Sequence, residues 1–416
     1  MKRGAEMKRI AAWLLCLALA VLCAQAAAEQ DVGTEKNRTT LKIAAASDLH
    51  VNPAFRYTNI VNPLEPYHLQ IVDAFLWDAV NRGADVVLLL GDITNQGRLS
   101  QHEALIEKLR AAQKQGVVTV IVLPGNHDIG EVSTDRFAEL YTDFGYGQAH
   151  SRDAASLSYS VVLGNQMLLL LDTNGYAELM SNAFLKDETL LWMQQQLEEA
   201  GKMGWQVIAA GHYPLCTSHS TAFSGKEKAI ELFKAYGVQL YLCGHLHKRC
   251  VTVQGALTEL VVDQTISYPC CYASLTADGV DGLVYQPQPI AVSEWAGQHK
   301  IADQNLLLFD HYQRRLEQER CCSIVEKLKG NQKISEEEQR LAEDFFFQMM
   351  EYRAQGTLSR YADALRQHPG CEIMIRLGEG TIYSRWIPSV LNDAVPYTTG
   401  FVIRDGQIAL PGEDGM

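Results

Sequence analysis

Nine side chains that can bind metal ions follow apolar segments of the sequence, at the points where strands would end. They are carboxylates, imidazoles and one amide: Asp48, His50, Asp92, Asn126, His127, Asp128, His212, His245 and His247. A single residue of this kind more often caps a turn than binds a ligand. Because five separate apolar segments end in the same way, and such groups are costly to bury unpaired, the pattern indicates one shared site.

The chemistry of these donors predicts a binuclear metal centre. Oxygen and nitrogen donors without thiolates favour manganese, iron or zinc in a reactive site over a structural zinc, and no Cys-x-x-Cys pair occurs. Two ions roughly 3.5–4 Å apart can share one carboxylate and one hydroxide, which is a nucleophile at neutral pH because the metals lower its pKa. We therefore predict two divalent or trivalent ions (Mn, Fe or Zn), which would also neutralise charge on phosphate oxygens.

The segments that carry these residues are typical of an α/β domain. From residue 41 to about residue 292, strand-like stretches alternate with stretches of helical periodicity. Residues 117–123 show the pattern most clearly, since a continuous apolar strand ends at Pro124-Gly125, directly before Asn126. Ligands of α/β sheets bind beyond the carboxyl ends of the strands, where these polar residues would lie.

The alternation of strand-like and helical segments ends after residue 247. Residues 257–262, 268–275 and 282–291 predict strands that complete a sheet in antiparallel fashion. From about residue 303 to 367 the sequence is charged and helical in period, and Ser335 with Glu338 predicts a capping box at a helix start. We predict a catalytic domain over residues 29–300 and a mainly helical C-terminal region over residues 301–416.

The N-terminus predicts export. Four basic residues among the first nine precede the apolar residues 10–23, and small residues suited to cleavage follow. We predict a signal peptide over residues 1–28 and a secreted or cell-surface protein. The apolar core is shorter than the ~20 residues of a transmembrane helix, so membrane attachment would require an uncleaved signal.

The formal net charge of −13 excludes a nucleic-acid binder that works through a basic surface. It does not exclude small phosphorylated substrates, because bound metal ions reverse the local field. We expect the partner of the site to be a nucleotide or another small phosphate ester. The oligomeric state stays open.

In order and spacing, the motifs resemble those of the calcineurin-like metallophosphoesterases. They are Asp48-x-His50, Gly91-Asp92, Gly125-Asn126-His127-Asp128, Gly211-His212 and Gly244-His245-x-His247. The resemblance covers roughly residues 41–292. It implies a sandwich of two mixed β-sheets flanked by helices, to which the C-terminal sequence adds the helical region.

The resemblance also implies a role for each of these residues. The metal ligands fall into two sets that share Asp92 as a bridge: Asp48, His50 and His247 for the first metal, and Asn126, His212 and His245 for the second. The other two residues would act on the substrate, with His127 contacting the phosphate or serving as the acid, and Asp128 orienting His127.

Three positions distinguish this chain from well-known subfamilies. Asn95 replaces the metal-binding tyrosine of purple acid phosphatases, and Gln96 replaces an arginine of the Ser/Thr protein phosphatases. Ile129-Gly130 stands where exported 5′-nucleotidases usually have Phe-Asp. The remaining pattern is similar to that of bacterial class III cyclic-nucleotide phosphodiesterases and their exported relatives.

Residues on neighbouring loops are further candidates for lining the pocket: Tyr57, His68, Asn95, Asn174, Tyr213 and His219. We expect a packing or surface role for His102 and a structural or metal-supporting role for Asp172. The cluster Phe345-Phe346-Phe347 predicts the core of a helical region.

The sequence is compatible with two functions. The first is an exported hydrolase of phosphoric ester bonds that acts on phosphodiesters or phosphomonoesters by attack of a metal-bridging hydroxide, with cyclic nucleotides as one substrate class. The second is a catalytically silent surface scaffold. The complete ligand set favours the enzyme, because a scaffold would not need nine costly polar groups, and the metal content of the purified protein distinguishes the two.

Overall fold

The computed structural model describes residues 40–54, 64–116, 118–175, 182–219, 221–278, 282–330, 332–392 and 395–411. The predicted signal peptide and the candidate pocket residue Tyr57 lie outside these residues. Across the described ranges, every helix is too short or too polar to cross a bilayer.

The strands build two mixed sheets of seven strands each and a small two-stranded sheet. Their bounds are β1 Leu41–Ala46, β2 Val86–Leu90, β3 Thr119–Leu123, β4 Ser151–Arg152, β5 Tyr159–Leu163, β6 Gln166–Leu171, β7 Ala183–Phe184, β8 Gln206–Gly211, β9 Phe223–Ser224, β10 Leu240–Cys243, β11 Cys250–Gln254, β12 Leu257–Val261, β13 Cys271–Asp278, β14 Gly282–Pro289, β15 Phe401–Arg404 and β16 Gln407–Ala409.

The order of the first sheet is β16-β15-β14-β13-β1-β2-β3, and that of the second is β11-β12-β10-β8-β6-β5-β4. Strands β1, β2 and β3 run parallel in the first sheet, as do β6, β8 and β10 in the second. Strands β2 and β6 are buried along their whole length, as expected where parallel strands are covered on both faces. The polar residues that follow the parallel strands are thereby gathered at their carboxyl ends.

The α-helices are α1 His68–Asn81, α2 Leu99–Gln115, α3 Thr134–Leu140, α4 Asp187–Met203, α5 Lys226–Ala235, α6 Val292–Gln298, α7 Gln304–Leu307, α8 Phe309–Lys329, α9 Glu336–Ala354, α10 Leu358–Gln367, α11 Pro369–Leu377 and α12 Tyr383–Asn392. The last seven form the C-terminal helical region. Two mixed sheets flanked by helices, with a helical region over residues 292–392, confirm the predicted fold class.

The helical region has a core of its own and an anchor on the first sheet. Phe345, Phe346 and Phe347 are buried in that core, as predicted. The predicted capping box is also present, since the Ser335 hydroxyl accepts a hydrogen bond from the Glu338 backbone and the Glu338 carboxylate accepts one from the Ser335 backbone. The anchor is Phe309, which belongs to the core of the first sheet. After α12 the chain returns to this sheet, where β15 pairs with β14.

Candidate metal centre

Five of the nine candidate site residues have a positive φ angle, a backbone conformation that L-amino acids rarely adopt. The φ angles are positive at five of these residues: Asp48 (54°), His50 (43°), Asp92 (48°), His245 (69°) and His247 (52°). Outside glycine, such conformations are uncommon and tend to cluster at functional sites, where the surrounding fold imposes them. Here each lies just beyond a strand end, where the chain turns sharply to aim a side chain inward.

The first group of candidate ligands comprises Asp48, His50, Asp92 and His247, whose ligand atoms all lie within 4.8 Å of one another. Nε2 of His247 lies 3.2 Å from Oδ1 of Asp48 and 3.2 Å from Nε2 of His50. The Nε2 atom of His50 lies 4.0 Å from Oδ2 of Asp92. Four donors from two sheets therefore converge on one small volume, in the composition that a Mn, Fe or Zn ion takes.

The second group comprises Asp92, His212 and His245, again with ligand atoms within 4.8 Å of one another. Nε2 of His212 lies 3.2 Å from Oδ2 of Asp92, and the other ring nitrogen donates to the Leu90 carbonyl at 2.9 Å. That hydrogen bond leaves Nε2 as the ligand atom. Asn126 joins the group through its side-chain oxygen, which lies 3.1 Å from Nδ1 of His245.

Asp92 belongs to both groups and lies at the bridging position that the sequence motifs imply. Oδ2 faces His50 on one side and His212 on the other. Oδ1 accepts a hydrogen bond from the backbone N–H of His127 at 2.8 Å, which fixes the rotation of the carboxylate. The two sheets are joined here by a hydrogen bond that the His245 backbone donates to Asp48 at 3.1 Å.

The protonation of these residues fits two metal ions. Oδ1 of Asp48 and Nε2 of His212 are buried and have no hydrogen-bond partner among the described residues. Burial favours neutral Asp48, but the His247 and His212 charges outweigh it and lower the pKa of Asp48 to about 2. Burial lowers the pKa of His50 and of His245 to about 4, so both imidazoles are neutral at pH 7, as ligands must be.

Burial also opposes the charge on the His212 ring, but the nearby Asp92 and Asp48 carboxylates raise the pKa of His212 to about 9. Without metal, this histidine is therefore protonated at neutral pH, beside the Asp92 carboxylate. A bound cation would take the place of that proton.

His127 lies beside the first group, with its ring centre 4.9 Å from that of His50. Its Nδ1 pairs with the backbone carbonyl of Asn95 at 2.7 Å. Since a carbonyl can only accept, Nδ1 carries the hydrogen, and Nε2 is left to act on a substrate. The partly buried ring is thus held in a defined tautomer next to the metal ligands.

The predicted role of Asp128 as the residue that orients the His127 ring is wrong, because that contact is made by the Asn95 carbonyl. The buried Asp128 carboxylate instead accepts hydrogen bonds from the backbone of Ile93 at 3.2 Å, Thr94 at 2.8 Å and Gly125 at 2.8 Å, and from the Thr94 hydroxyl at 2.8 Å. Burial and the nearby Asp92 charge raise its pKa to about 7. Asp128 therefore ties together the loops that follow β2 and β3.

Glycines let these loops approach each other. A Cβ at Gly91, whose φ is +85°, would lie 2.7 Å from the Gly125 nitrogen and 2.7 Å from Nδ1 of His212. A Cβ at Gly125 would overlap the backbone and carboxylate of Asp92. Any larger residue at either position would push the bridging carboxylate out of place.

The other candidates are mostly structural. His102 is buried and bonds the Tyr141 hydroxyl at 2.9 Å and the Asp128 carbonyl at 3.0 Å, which confirms its packing role. The His68 ring accepts from the Asn52 backbone at 3.0 Å. Tyr213 is buried, with its ring centre 4.1 Å from that of His245.

Asp172 supports the metal centre through Asn174, as expected for a structural role. Its Oδ1 accepts from the Asn174 backbone and side chain at 3.1 and 3.0 Å. The Asn174 amide in turn donates to the Pro124 carbonyl at 2.9 Å, which holds the end of β3 in place. This contact spans the two sheets, so no local sequence pattern could have revealed it.

Metal binding is expected to stabilise the fold, because it neutralises two carboxylates buried at one point. An ion present at about 100 times its Kd adds about 2.7 kcal/mol to the free energy of unfolding, or about 3 °C in melting temperature for a protein of this size. Thermal unfolding of chelator-treated protein, with and without added Mn, Fe or Zn, measures this shift. Equal melting temperatures in all conditions would contradict the metal centre.

Comparison with known families agrees with this geometry. The family model for calcineurin-like phosphoesterases matches residues 41–249, and the model for the C-terminal domain of cyclic nucleotide phosphodiesterase matches residues 291–396. No protein of curated function matches the sequence.

Several solved structures are similar. A dimetal phosphatase from Danio rerio is 12% identical with a TM-score of 0.49, over 60% of this chain and 96% of its own. A purple acid phosphatase from yellow lupin is 15% identical with a TM-score of 0.44, over 61% of this chain and 52% of its own. NAD nucleotidase from Haemophilus influenzae is 12% identical with a TM-score of 0.37, over 61% of this chain and 51% of its own.

The family match extends over half of the chain and covers every residue placed in the two ligand groups. The chain belongs to the calcineurin-like phosphoesterase family and is a hydrolase of phosphoric ester bonds.

Proposed function

We propose that this hydrolase uses a binuclear metal centre to cleave small phosphate esters, and that it acts after export. The observation that carries the proposal is the position of one buried carboxylate between two ligand groups. Oδ2 of Asp92 lies 4.0 Å from Nε2 of His50 and 3.2 Å from Nε2 of His212. A carboxylate placed in this way can bridge two cations.

The side chains of the site would bind the two ions and contact the substrate. Asp48, His50, His247 and Asp92 would hold one ion, and Asp92, Asn126, His212 and His245 the other. When bound, two such ions supply an activated water and neutralise charge on the phosphate oxygens. His127, held by Asn95, would bind the phosphate or donate a proton from Nε2 to the leaving oxygen.

The C-terminal family match supports cyclic nucleotides as one substrate class, since that domain takes its name from a cyclic nucleotide phosphodiesterase. Both diesters and monoesters fit the proposed chemistry. A panel of bis-p-nitrophenyl phosphate, p-nitrophenyl phosphate, cyclic nucleotides and nucleotides tests the proposal, with the protein loaded in turn with manganese, iron and zinc. Absence of both turnover and stoichiometric metal would instead favour a scaffold.

Replacement of His127 by alanine is expected to lower kcat by about 10²–10⁴-fold, the usual contribution of a general acid. If His127 donates a proton, the loss will be larger for an alkyl phosphate ester than for a p-nitrophenyl ester, because p-nitrophenolate leaves without help. If His127 only binds phosphate, the two losses will be equal. His311, exposed on α8, provides the matched control, and H311A should behave like the wild type.

Export is tested separately, by cell fractionation and N-terminal sequencing of the mature protein. A mature chain that begins near residue 29 and lies outside the cytoplasm is the expected result. Full-length protein confined to the cytoplasm would contradict this part of the proposal.

A further inference from the structure

A cavity of about 230 Å³ lies between the phosphoesterase sheets and the C-terminal helical region. His247 lines it with a side chain that is 44% exposed, so the cavity opens beside the first group of metal ligands. Helices α8 and α9 contribute Gln313, Glu317, Arg320 and Arg353 to its wall. A substrate held at the metals would therefore meet residues of the helical region.

The cavity continues away from the metal centre. A second cavity of about 500 Å³ shares Arg249, Tyr268, Gln313 and Ala354 with the first. Within the first cavity, Oε1 of Gln313 is buried and has no hydrogen-bond partner among the described residues. A ligand hydroxyl would satisfy this acceptor, so the space offers polar contacts beyond those made at the metals.

The cavity is basic, although the chain as a whole carries a net charge of −13. Two of its arginines are neutralised within the protein, since Arg249 pairs with Asp263 at 2.5 Å and Arg320 pairs with Glu317 at 2.5 Å. Arg353 and Lys248 have no carboxylate within 4.0 Å among the described residues. The lining thus includes two positive charges that have no direct ion pair within the described residues.

Of these two cations, Arg353 has the surroundings that point more clearly to a bound ligand. Its guanidinium carbon lies 5.4 Å from the centre of the Trp386 ring, and it makes no hydrogen bond to the described residues. A cation–π contact of this kind uses none of the guanidinium N–H groups, so they are free to bind an anion. Burial removes water from the group and lowers the pKa of Arg353 below its ordinary value, although the Asp263 and Glu317 carboxylates act in the opposite direction.

The position of Arg353 is fixed relative to the sheets. Arg314 of α8 pairs with Glu351 of α9 two residues before Arg353. Helix α8 in turn begins with Phe309, which is fully buried against the core of the first sheet. The Tyr67 hydroxyl, just before α1, bonds Asp303 at 3.1 Å. Arg353 is therefore a half-buried cation on a helix whose backbone is held in place relative to the sheets.

We propose that Arg353 determines substrate specificity by binding a second anionic group of the substrate, a phosphate or a carboxylate, while the first phosphate lies at the metals. This inference rests on the proposed function of the metal centre. A cyclic mononucleotide has a single phosphate. Among nucleotides the cavity therefore favours dinucleotides, or nucleotides with an additional phosphate.

The test is competition against hydrolysis of a p-nitrophenyl ester by the full-length, metal-loaded protein. Two pairs of competitors differ by one anionic group: 3-phosphoglycerate against glycerol 3-phosphate, and the dinucleotide pApA against ApA. The wild type should bind the more anionic member of at least one pair at least about tenfold more tightly. R353Q should reduce that preference by about 10- to 100-fold, the usual effect of losing a charge-assisted hydrogen bond.

Two variants control for charge and position. R353K should keep part of the preference, because it retains the charge without the bidentate fork. R340Q, at an exposed position on the same helix, should leave all inhibition constants unchanged. If R353Q does not fold, R353M, which is also uncharged and keeps an apolar stem beside Trp386, replaces it, and the same loss of preference is expected.

An unchanged preference in the variants, or equal weakening of both members of each pair, would overturn the role of Arg353. So would absence of any preference in the wild type. If the wild type hydrolyses no ester, the proposed function fails instead. Calorimetric titration of the same pairs into metal-loaded protein then measures the affinity for each member without hydrolysis. The ratio of the two affinities still shows whether Arg353 binds the second anionic group.

Discussion

Replacement of Asp92 by asparagine is expected to reduce kcat by at least about 10³-fold, the largest effect of any single change in this protein. Oδ1 of Asp92 accepts a hydrogen bond from the His127 backbone, so the asparagine oxygen will occupy that position. The NH2 group then faces His50 and His212, where it can only donate. The variant therefore loses the bridging ligand, although its volume hardly changes.

Hydrolysis of bis-p-nitrophenyl phosphate and elemental analysis of the purified variant check this expectation together. We expect D92N to lose about half or more of its bound metal while the fold is retained. D143N removes a carboxylate from the surface, where Asp143 is 66% exposed, and should match the wild type. Wild-type turnover in D92N would disprove the bridging role.

Replacement of Asp128 by alanine should have a large effect on stability as well as an effect on activity. The Asp128 carboxylate accepts from three buried backbone N–H groups, on Ile93, Thr94 and Gly125. Leaving them unpaired is expected to cost about 3–6 kcal/mol, or about 3–7 °C in melting temperature. Because these donors lie in the loops that carry Asp92 and Asn126, metal affinity should fall too.

Asp153 offers a matched control for this prediction. It is also buried, and its carboxylate accepts hydrogen bonds from Ala155 at 3.0 Å, Ser156 at 2.6 Å and Thr189 at 2.6 Å. D153A should lose stability of the same order but keep its metal affinity, because its partners are not metal ligands. If D128A lowers kcat without changing melting temperature or metal content, Asp128 acts through His127 after all.

The hydrophobic pattern and the strand-end residues predicted much of the fold and the members of both ligand groups. Apolar segments such as β2 and β3 are buried on both faces, so their sequence alone distinguishes them from loops. The short strands β4, β7 and β9, with two residues each, carry no such signal. The return of the chain to the first sheet through β15 also depends on pairing with β14, which is distant in sequence.

The error over Asp128 has a clear physical origin. Adjacent residues in a tight turn point in different directions, so neighbours in sequence need not touch. The His127 ring turns to the Asn95 carbonyl, while the Asp128 carboxylate turns to the backbone of Thr94. Both partners belong to the loop after β2, and only the alignment of β2 beside β3 brings that loop within reach.

The sequence alone therefore determined the donor types and the reaction class, because metal ligands are side chains whose chemistry can be read directly from the residue and its spacing. Only the tertiary structure decided that the Asn95 carbonyl, and not Asp128, holds the His127 ring, and that Arg353 of the helical region faces the same space as His247. These relations join residues far apart in the chain. They depend on how the two sheets pack, and that packing is set by the sum of many buried contacts rather than by any local motif.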